Sequence, residues 1–309
     1  MTALDFGPVM LGGNVFGWTA DRDASFAVLD AFHGAGGRSI DTADVYSAWA
    51  GGNSGGESET IIGEWLASRR ARDRVVVATK VSSLEGRRGL SAANIAAAVD
   101  DSLRRLATDR IDLYFAHRDD ETVEQEETMG AFDALVTAGK VREIGASNFA
   151  PARLRSAARV AAASGLTPFT VAQDQWSLVE RDAEIDLVPT VGELGMVEVP
   201  YSSLAAGFLT GKYRPGVDVV SHRAHRASAY LDDPRNLDLL DALDDVAAEH
   251  GVSVTAVALA WLREQPHVAA PIASARTAEQ VGDLMQSATV SLTRQELELL
   301  SAATEPVSA

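Results

Sequence analysis

The chain contains no cysteine, so disulfides and thiolate chemistry are excluded, and cysteine usage leaves the redox compartment open. Positive charge is scarce too: 27 Lys and Arg stand against 44 Asp and Glu, for a formal net charge of −17. Such a surface repels phosphate backbones and anionic membranes, so neither nucleic acid nor a membrane is an expected partner. Any phosphate-bearing ligand must find a local basic pocket. No run approaches the roughly 18 apolar residues of a membrane-spanning helix, and the start, "MTALDFGPVMLGG", has neither a basic n-region nor a long apolar core. A soluble, cytoplasmic protein is the expectation. Low-complexity and Ser/Pro-rich stretches are also missing, so residues 1–309 read as a single domain.

What is present is an alternation. Eight short β-branched or apolar runs recur: "PVMLGG" (8–13), "SIDTA" (39–43), "VVVATKV" (75–81), "DLYFAH" (112–117), "REIGASN" (142–148), "VAQDQW" (171–176), "GMVEVPY" (195–201) and "VAAPIA" (268–273). Helical patterns lie between them. In "SAANIAAAVDDSLRRLATD", Ser91 is placed to cap a helix whose Ile95, Val99, Leu103 and Leu106 share one stripe. Eight such units in about 300 residues predict an α/β fold, a (β/α)₈ barrel closed on itself. The rival, an open doubly wound sheet, ordinarily carries a G-x-G-x-x-G turn after its first strand, and no such turn follows any strand here.

On a barrel, chemistry sits at the C-terminal ends of the strands and in the loops after them. Polar side chains collect there: Asp41 and Tyr46 after the second strand, Lys80 ending the third, His117 ending the fourth, Ser147 and Asn148 ending the fifth, Gln175 and Trp176 ending the sixth. A phenol with a pKa of about 10 is a poor acid at neutral pH unless its anion is stabilised. An ammonium about 4 Å away contributes roughly 4 kcal/mol at an effective dielectric of about 20, enough to lower that pKa by about three units. Lys80 is expected to do this to Tyr46, with Asp41 keeping the lysine charged and His117 polarising a substrate carbonyl. The set suits protonation of an oxygen that gains negative charge when hydride reaches a carbonyl carbon.

With "IDTADVYS", "VVVATKV" and "DLYFAH" together, the sequence resembles the aldo-keto reductase superfamily from about Leu11 to about Leu300, with a leaning to the branch of the potassium-channel β subunits. The resemblance implies a (β/α)₈ barrel binding extended NADP(H) without a glycine fingerprint, a small carbonyl or alcohol substrate, and Asp41, Tyr46, Lys80 and His117 as the catalytic tetrad. It further implies Ser147, Asn148 and Gln175 on the nicotinamide carboxamide, with Trp176 stacking where many members have Tyr. "YSSLAAGFLTGKY" is similar to the family loop over the pyrophosphate, implicating Tyr201, Ser202, Leu204, Gly207 and Lys212. "PIASARTAEQVGDL" is similar to the segment gripping the 2′-phosphate, with Arg276 on the phosphate and Gln280 on adenosine, while Leu284 stands where an Asn is usual.

Blander readings apply elsewhere. Gly207, Gly211 and Lys212 superficially match a P-loop, but the spacing is one residue short and Tyr213 replaces the magnesium-holding hydroxyl. His222 and His225 lack acids in a ligand pattern, so no metal is expected and the segment reads as solvated. Asp44 reads as a loop hydrogen-bonding residue. Trp18 is expected to line the substrate mouth, "SAWAGGNSGGESE" (47–59) to form part of the entrance, and 214–236 to be a mobile flap. After the eighth strand two short helices and the tail "EPVSA" are expected, without a long closing loop. Oligomeric state is left open. The alternative function is a cofactor-binding regulatory or redox-sensing protein; channel β subunits of that kind carry an N-terminal extension, whereas only about seven residues precede the first run here. A metal-dependent barrel hydrolase would need a His-x-His after an early strand, and the sequence has none there.

Overall fold

A computed structural model describes residues 2–304; the tail 305–309 lies outside them. The elements in chain order are β1 (Met10–Gly12), α1 (Arg22–Gly34), β2 (Ser39–Asp41), α2 (Glu57–Arg69), β3 (Val76–Val81), α3 (Ala92–Arg105), β4 (Ile111–Ala116), α4 (Gln125–Thr137), β5 (Val141–Ser147), α5 (Pro151–Ser164), β6 (Val171–Gln173), α6 (Leu187–Glu193), β7 (Val197–Glu198), α7 (Ala224–Ser228), α8 (Pro234–His250), α9 (Val254–Arg263), β8 (Ile272–Ala273), α10 (Ala278–Gln286) and α11 (Arg294–Ala302). All eight predicted strands are present. They pair in parallel in the order β7-β6-β5-β4-β3-β2-β1-β8. The two ends of that order meet: Glu198 N donates to His267 O and Ala269 N to Glu198 O, both at 2.8 Å, bridging Glu198 to Val268. The sheet thereby closes as a (β/α)₈ barrel.

Strand periodicity decides what faces the barrel axis. Met10, Ala78, Leu113, Phe115, Val171, Val199 and Ile272 form one interior cluster, against which Leu4 and Phe6 pack ahead of β1. The residues between them, Leu11, Ile40, Val77, Tyr114, Ile144 and Ala172, belong instead to the layer shared with the helices. Continuing the inward parity to each strand's C-terminal end reaches Asp41, Lys80, His117, Ser147, Gln173 and Tyr201. Gly145 shares this parity for want of room: a Cβ there would lie 2.5 Å from the Phe115 ring.

The helices follow their sequence signals. Ser91 Oγ accepts from Asn94 N to cap α3, whose Ile95, Val99 and Leu106 are buried and whose Leu103 packs partly buried beside them. Two helices, α10 and α11, follow β8, the latter opened by a capping box between Thr293 and Glu296. The predicted runs around β6, β7 and β8 are longer than the strands. Pro200 and Pro271 supply no amide to a ladder, so β7 ends shortly before the first and β8 begins only after the second. A second apolar cluster, containing Trp176, Phe208, Tyr213, Leu239 and Trp261, fastens the loop after β7 to α8 and α9.

Candidate active site

The inward-facing strand ends converge on a cavity of about 780 Å³ at the C-terminal mouth of the barrel. At its floor the fully buried Lys80 ammonium donates to Asp41 Oδ1 at 2.6 Å, Asp41 Oδ2 at 2.7 Å, Thr42 O at 2.8 Å and Tyr46 Oη at 3.0 Å. Tyr46 Oη donates to Asp41 Oδ2 at 3.0 Å, and Gln173 Nε2 to Asp41 Oδ1 at 2.9 Å. One carboxylate thus orients the lysine, the phenol and a carboxamide. The His117 ring meets the Tyr46 ring edge-on with centroids 6.0 Å apart, and its buried Nδ1 has no hydrogen-bond partner among the described residues.

The electrostatics depart from the sequence expectation at Tyr46. Burial, followed by Asp41's charge and its hydrogen bond, pushes the phenol well above its usual range, so Tyr46 is neutral at pH 7 and retains its proton. Lys80 does not offset this: its own pKa is lowered, because burial outweighs Asp41. Burial, then the nearby Lys80 and Arg118 cations, hold His117 well below the ordinary imidazole range, so it is neutral as well. The resting floor therefore presents a neutral phenol and a neutral imidazole to the cavity, over the hydrogen-bonded Asp41 and Lys80.

The structure brings most of the other sequence candidates to the cavity. Trp18, Ser147, Asn148, Tyr201, Ser202, Leu204, Gly207, Lys212, Arg276 and Gln280 line it. Tyr201 Oη donates to Asn148 Oδ1 at 2.7 Å, and Asn148 Nδ2 donates to Ser147 Oγ at 2.8 Å. Gln280 Oε1 accepts from Arg276 N at 2.8 Å. Gln175 and Trp176 require correction: neither lines the cavity. β6 ends at Gln173, so the carboxamide facing the site is Gln173, while Gln175 bridges Tyr201 through the main chain. Trp176 is buried in the second apolar cluster with Nε1 donating to Glu184 at 2.9 Å, and the aromatic ring beside Asn148 at the cavity is that of Tyr201.

Asp44 is also corrected. It is buried, and neither carboxylate oxygen has a hydrogen-bond partner among the described residues. Burial and then the charge of Glu59 raise it to about 8, so it is largely protonated at neutral pH. The segment read as solvated, around His222, instead lines the cavity: His222 and Trp18 lie with ring centroids 5.7 Å apart, and Arg223 sits 5.7 Å over Trp18. The long connection after Tyr46 does reach the entrance. Trp49 lines the cavity, and Asn53 Nδ2 ties the loop to Gly17 O and Ser47 O.

The family model described as the aldo/keto reductase family matches residues 7–305. This chain belongs to the aldo/keto reductase family. It is accordingly an oxidoreductase. It is similar to the oxidoreductase YrpG of Bacillus subtilis (strain 168), with 35% identity over 97% of this chain and 93% of that one. It is similar, too, to an aryl-alcohol dehydrogenase [NADP(+)] of Phanerodontia chrysosporium, 32% identical over 96% of this chain and 82% of the relative, and to norsolorinic acid reductase B of Aspergillus parasiticus (strain ATCC 56775 / NRRL 5862 / SRRC 143 / SU-1), 33% identical over 96% and 81%.

Members of this reductase family generally use a nicotinamide nucleotide, and the residues present fit one. The loop after β7 turns through a left-handed run, Ser202, Ala205, Ala206 and Gly207, with φ of 55°, 46°, 57° and 99°. A Cβ on Gly207 would come within 3.7 Å of Lys212 Nζ, filling the space beside that ammonium. Lys212 is pulled below its usual pKa by burial and by neighbouring Arg276, and neither cation has a carboxylate partner among the described residues. Two adjacent, uncompensated cations beside an open backbone loop suit a polyphosphate.

Proposed function

We propose that the protein is an NADP(H)-dependent oxidoreductase that interconverts aldehyde or ketone carbonyls and the corresponding alcohols. The observation that carries this reading is the hydrogen-bonded chain Asp41–Lys80–Tyr46 at the cavity floor, with the neutral imidazole of His117 beside it. When bound, the reduced nicotinamide supplies hydride to the carbonyl carbon. The electron pair of the C–O π bond moves to oxygen, and Tyr46 turns its hydroxyl proton from Asp41 to that oxygen, giving the alcohol. Lys80 stabilises the phenolate left behind, and Asp41 keeps Lys80 charged and aimed. His117 donates a hydrogen bond to the carbonyl oxygen, polarising it and fixing the carbon's position.

Ser147, Asn148 and Gln173 are assigned to the carboxamide, and the Tyr201 ring to the nicotinamide face. Ser202, Leu204, Gly207 and Lys212 are assigned to the pyrophosphate, Arg276 to the 2′-phosphate and Gln280 to adenosine. Trp18 lines the substrate side. NADP(H) preference then rests on Arg276 and Lys212, in keeping with the NADP(+) in one relative's name.

The test combines tryptophan-fluorescence titration with NADPH and NADH and turnover of an aldehyde and ketone panel, for wild type and Tyr46→Phe. Binding of NADPH at least tenfold tighter than NADH is expected, retained in the variant, with turnover falling about 10²- to 10⁴-fold. Turnover surviving in Tyr46→Phe would remove the phenol from the reaction. Tight binding without turnover of any carbonyl would make this a cofactor-binding regulatory protein instead.

A further inference from the structure

Elsewhere in this acid-rich chain, buried or half-buried arginines pair with carboxylates: Arg105 with Glu59 at 2.6 Å, Arg153 with Asp119 at 2.5 Å, Arg181 with Glu184 at 2.7 Å. Around the cavity the pattern reverses. Arg118, Arg223 and Arg226 all line it, and among the described residues none of their guanidiniums reaches a carboxylate or donates a hydrogen bond. Their positions divide the work. Arg223 sits 5.7 Å over the Trp18 ring, and Arg226 is the strongest charge acting on it, ahead of Arg276. Arg118 follows His117 directly, and it and Arg226 both act on Tyr201 from the reacting end. A dinucleotide's phosphates account for Lys212 and Arg276; Arg118, Arg223 and Arg226 are left without an anion.

The space beside them is walled by rings. Trp18 and Trp49 meet edge-to-face with centroids 5.7 Å apart, His222 adds another edge to Trp18 at 5.7 Å, and Trp49 stands 6.2 Å from Tyr46. Edge-to-face walls accept a planar ring, and a guanidinium fork matches the two oxygens of a carboxylate. Resting on the reading of this site as a carbonyl reductase, we propose that its substrate is an aromatic aldehyde or ketone bearing a carboxylate, the ring held among Trp18, Trp49 and His222 and the carboxylate taken by Arg118 with Arg226 beside it. Arg118 is exposed on its other side, where it also borders a shallow pocket with Arg88 and Thr122, so it can swing onto the anion without breaking an existing pair.

The test has an equilibrium arm and a kinetic arm. In the first, benzoate and benzamide are titrated into the NADP⁺-saturated protein and read through quenching of tryptophan fluorescence. Benzoate should bind at least tenfold more tightly in the wild type, Arg118→Gln should abolish that preference, and Arg118→Lys should restore part of it. In the second, the ratio of kcat/KM for 4-carboxybenzaldehyde to that for benzaldehyde should drop at least tenfold in Arg118→Gln and less in Arg226→Gln. Equal binding of benzoate and benzamide by the wild type overturns the proposal. So does a preference that survives Arg118→Gln, or an Arg118→Gln defect confined to NADP⁺ affinity. Tyr46-dependent turnover without charge preference leaves the reductase reading intact and removes this one. A benzoate preference without turnover of any carbonyl removes the reductase reading and the substrate with it, leaving only an aromatic carboxylate as a ligand.

Discussion

At the floor of the cavity, Asp41, Lys80 and Tyr46 hold one another at 2.6–3.0 Å around a fully buried ammonium; at its mouth, Trp49 is 50% exposed and Arg223 and Arg226 meet no carboxylate. Asp41 and Lys80 sit on strands, where the β-ladder fixes both position and facing, and their hydrogen bonds hold Tyr46, five residues past β2. The mouth groups come from outside the sheet: Trp49 from the connection after β2, Arg223 and Arg226 from the start of α7. The contrast teaches that reaction and selection are carried by different parts of the chain. On the proposed reading, the ladder sets the Asp41–Lys80 pair that orients the proton donor, while the loops after β1, β2 and β7 shape the entrance.

The largest expected effect strikes the floor. Lys80→Met leaves Asp41 buried without its cation, so a loss of about 3–5 kcal/mol in stability is expected, together with at least a 10³-fold fall in turnover. Urea unfolding and steady-state NADPH oxidation measure the two; a fall of less than tenfold in turnover would show that the ammonium is dispensable. The next is pH dependence. Asp44 has a folded-state pKa of about 8, above the ordinary carboxyl range, so the folded protein binds its proton more tightly than the unfolded chain. Its stabilising contribution is complete at low pH and is lost as pH rises from about 4 toward about 8, at up to roughly 1.4 kcal/mol per unit. Asp44→Asn should therefore gain on the wild type between pH 5 and pH 9 in urea unfolding, and parallel pH profiles for the two proteins would refute the assignment. The smallest effect belongs to the mouth. Trp49→Ala should raise KM for an aromatic aldehyde about three- to tenfold, with a smaller change in kcat and less than about 0.5 kcal/mol in stability. A dominant kcat effect would place Trp49 with the floor and blur the contrast.

Legibility in the sequence followed the same divide. Strands announce themselves by apolar runs, and polar residues ending such runs point into a barrel mouth, so Asp41, Lys80, His117 and Ser147 could be found by position alone. Gln173 and Gln175 could not be separated in this way: two residues apart, they have the same facing in an extended strand. What chooses between them is that β6 stops at Gln173, a consequence of the neighbouring strand. Trp176 fails for another reason: its indole packs into the second apolar cluster, and the ring assigned to the nicotinamide face, Tyr201, comes from the segment after the next strand. His222 and Arg223 lie in a polar stretch without periodicity, and only the docking of Ala227 and Tyr230 against the second apolar cluster brings them to the mouth. The direction of the Tyr46 shift was hidden for a different reason, since a pairwise Coulomb argument counts the ammonium but not the desolvation of the phenol itself.

The seam at Glu198 and Val268 has a bearing on how the whole barrel melts. It is held by strands of two residues each, so opening there breaks few hydrogen bonds compared with parting β3, β4 and β5. The loop from Tyr201 to Lys212 starts on one side of this seam, and the stretch from Ser274 to Gln280 on the other. A ligand gripped by both acts as a clasp on a hoop, stabilising the least cooperative join as well as gaining its own contacts. If the nucleotide binds as proposed, its occupancy and the integrity of the ring become two readings of one equilibrium.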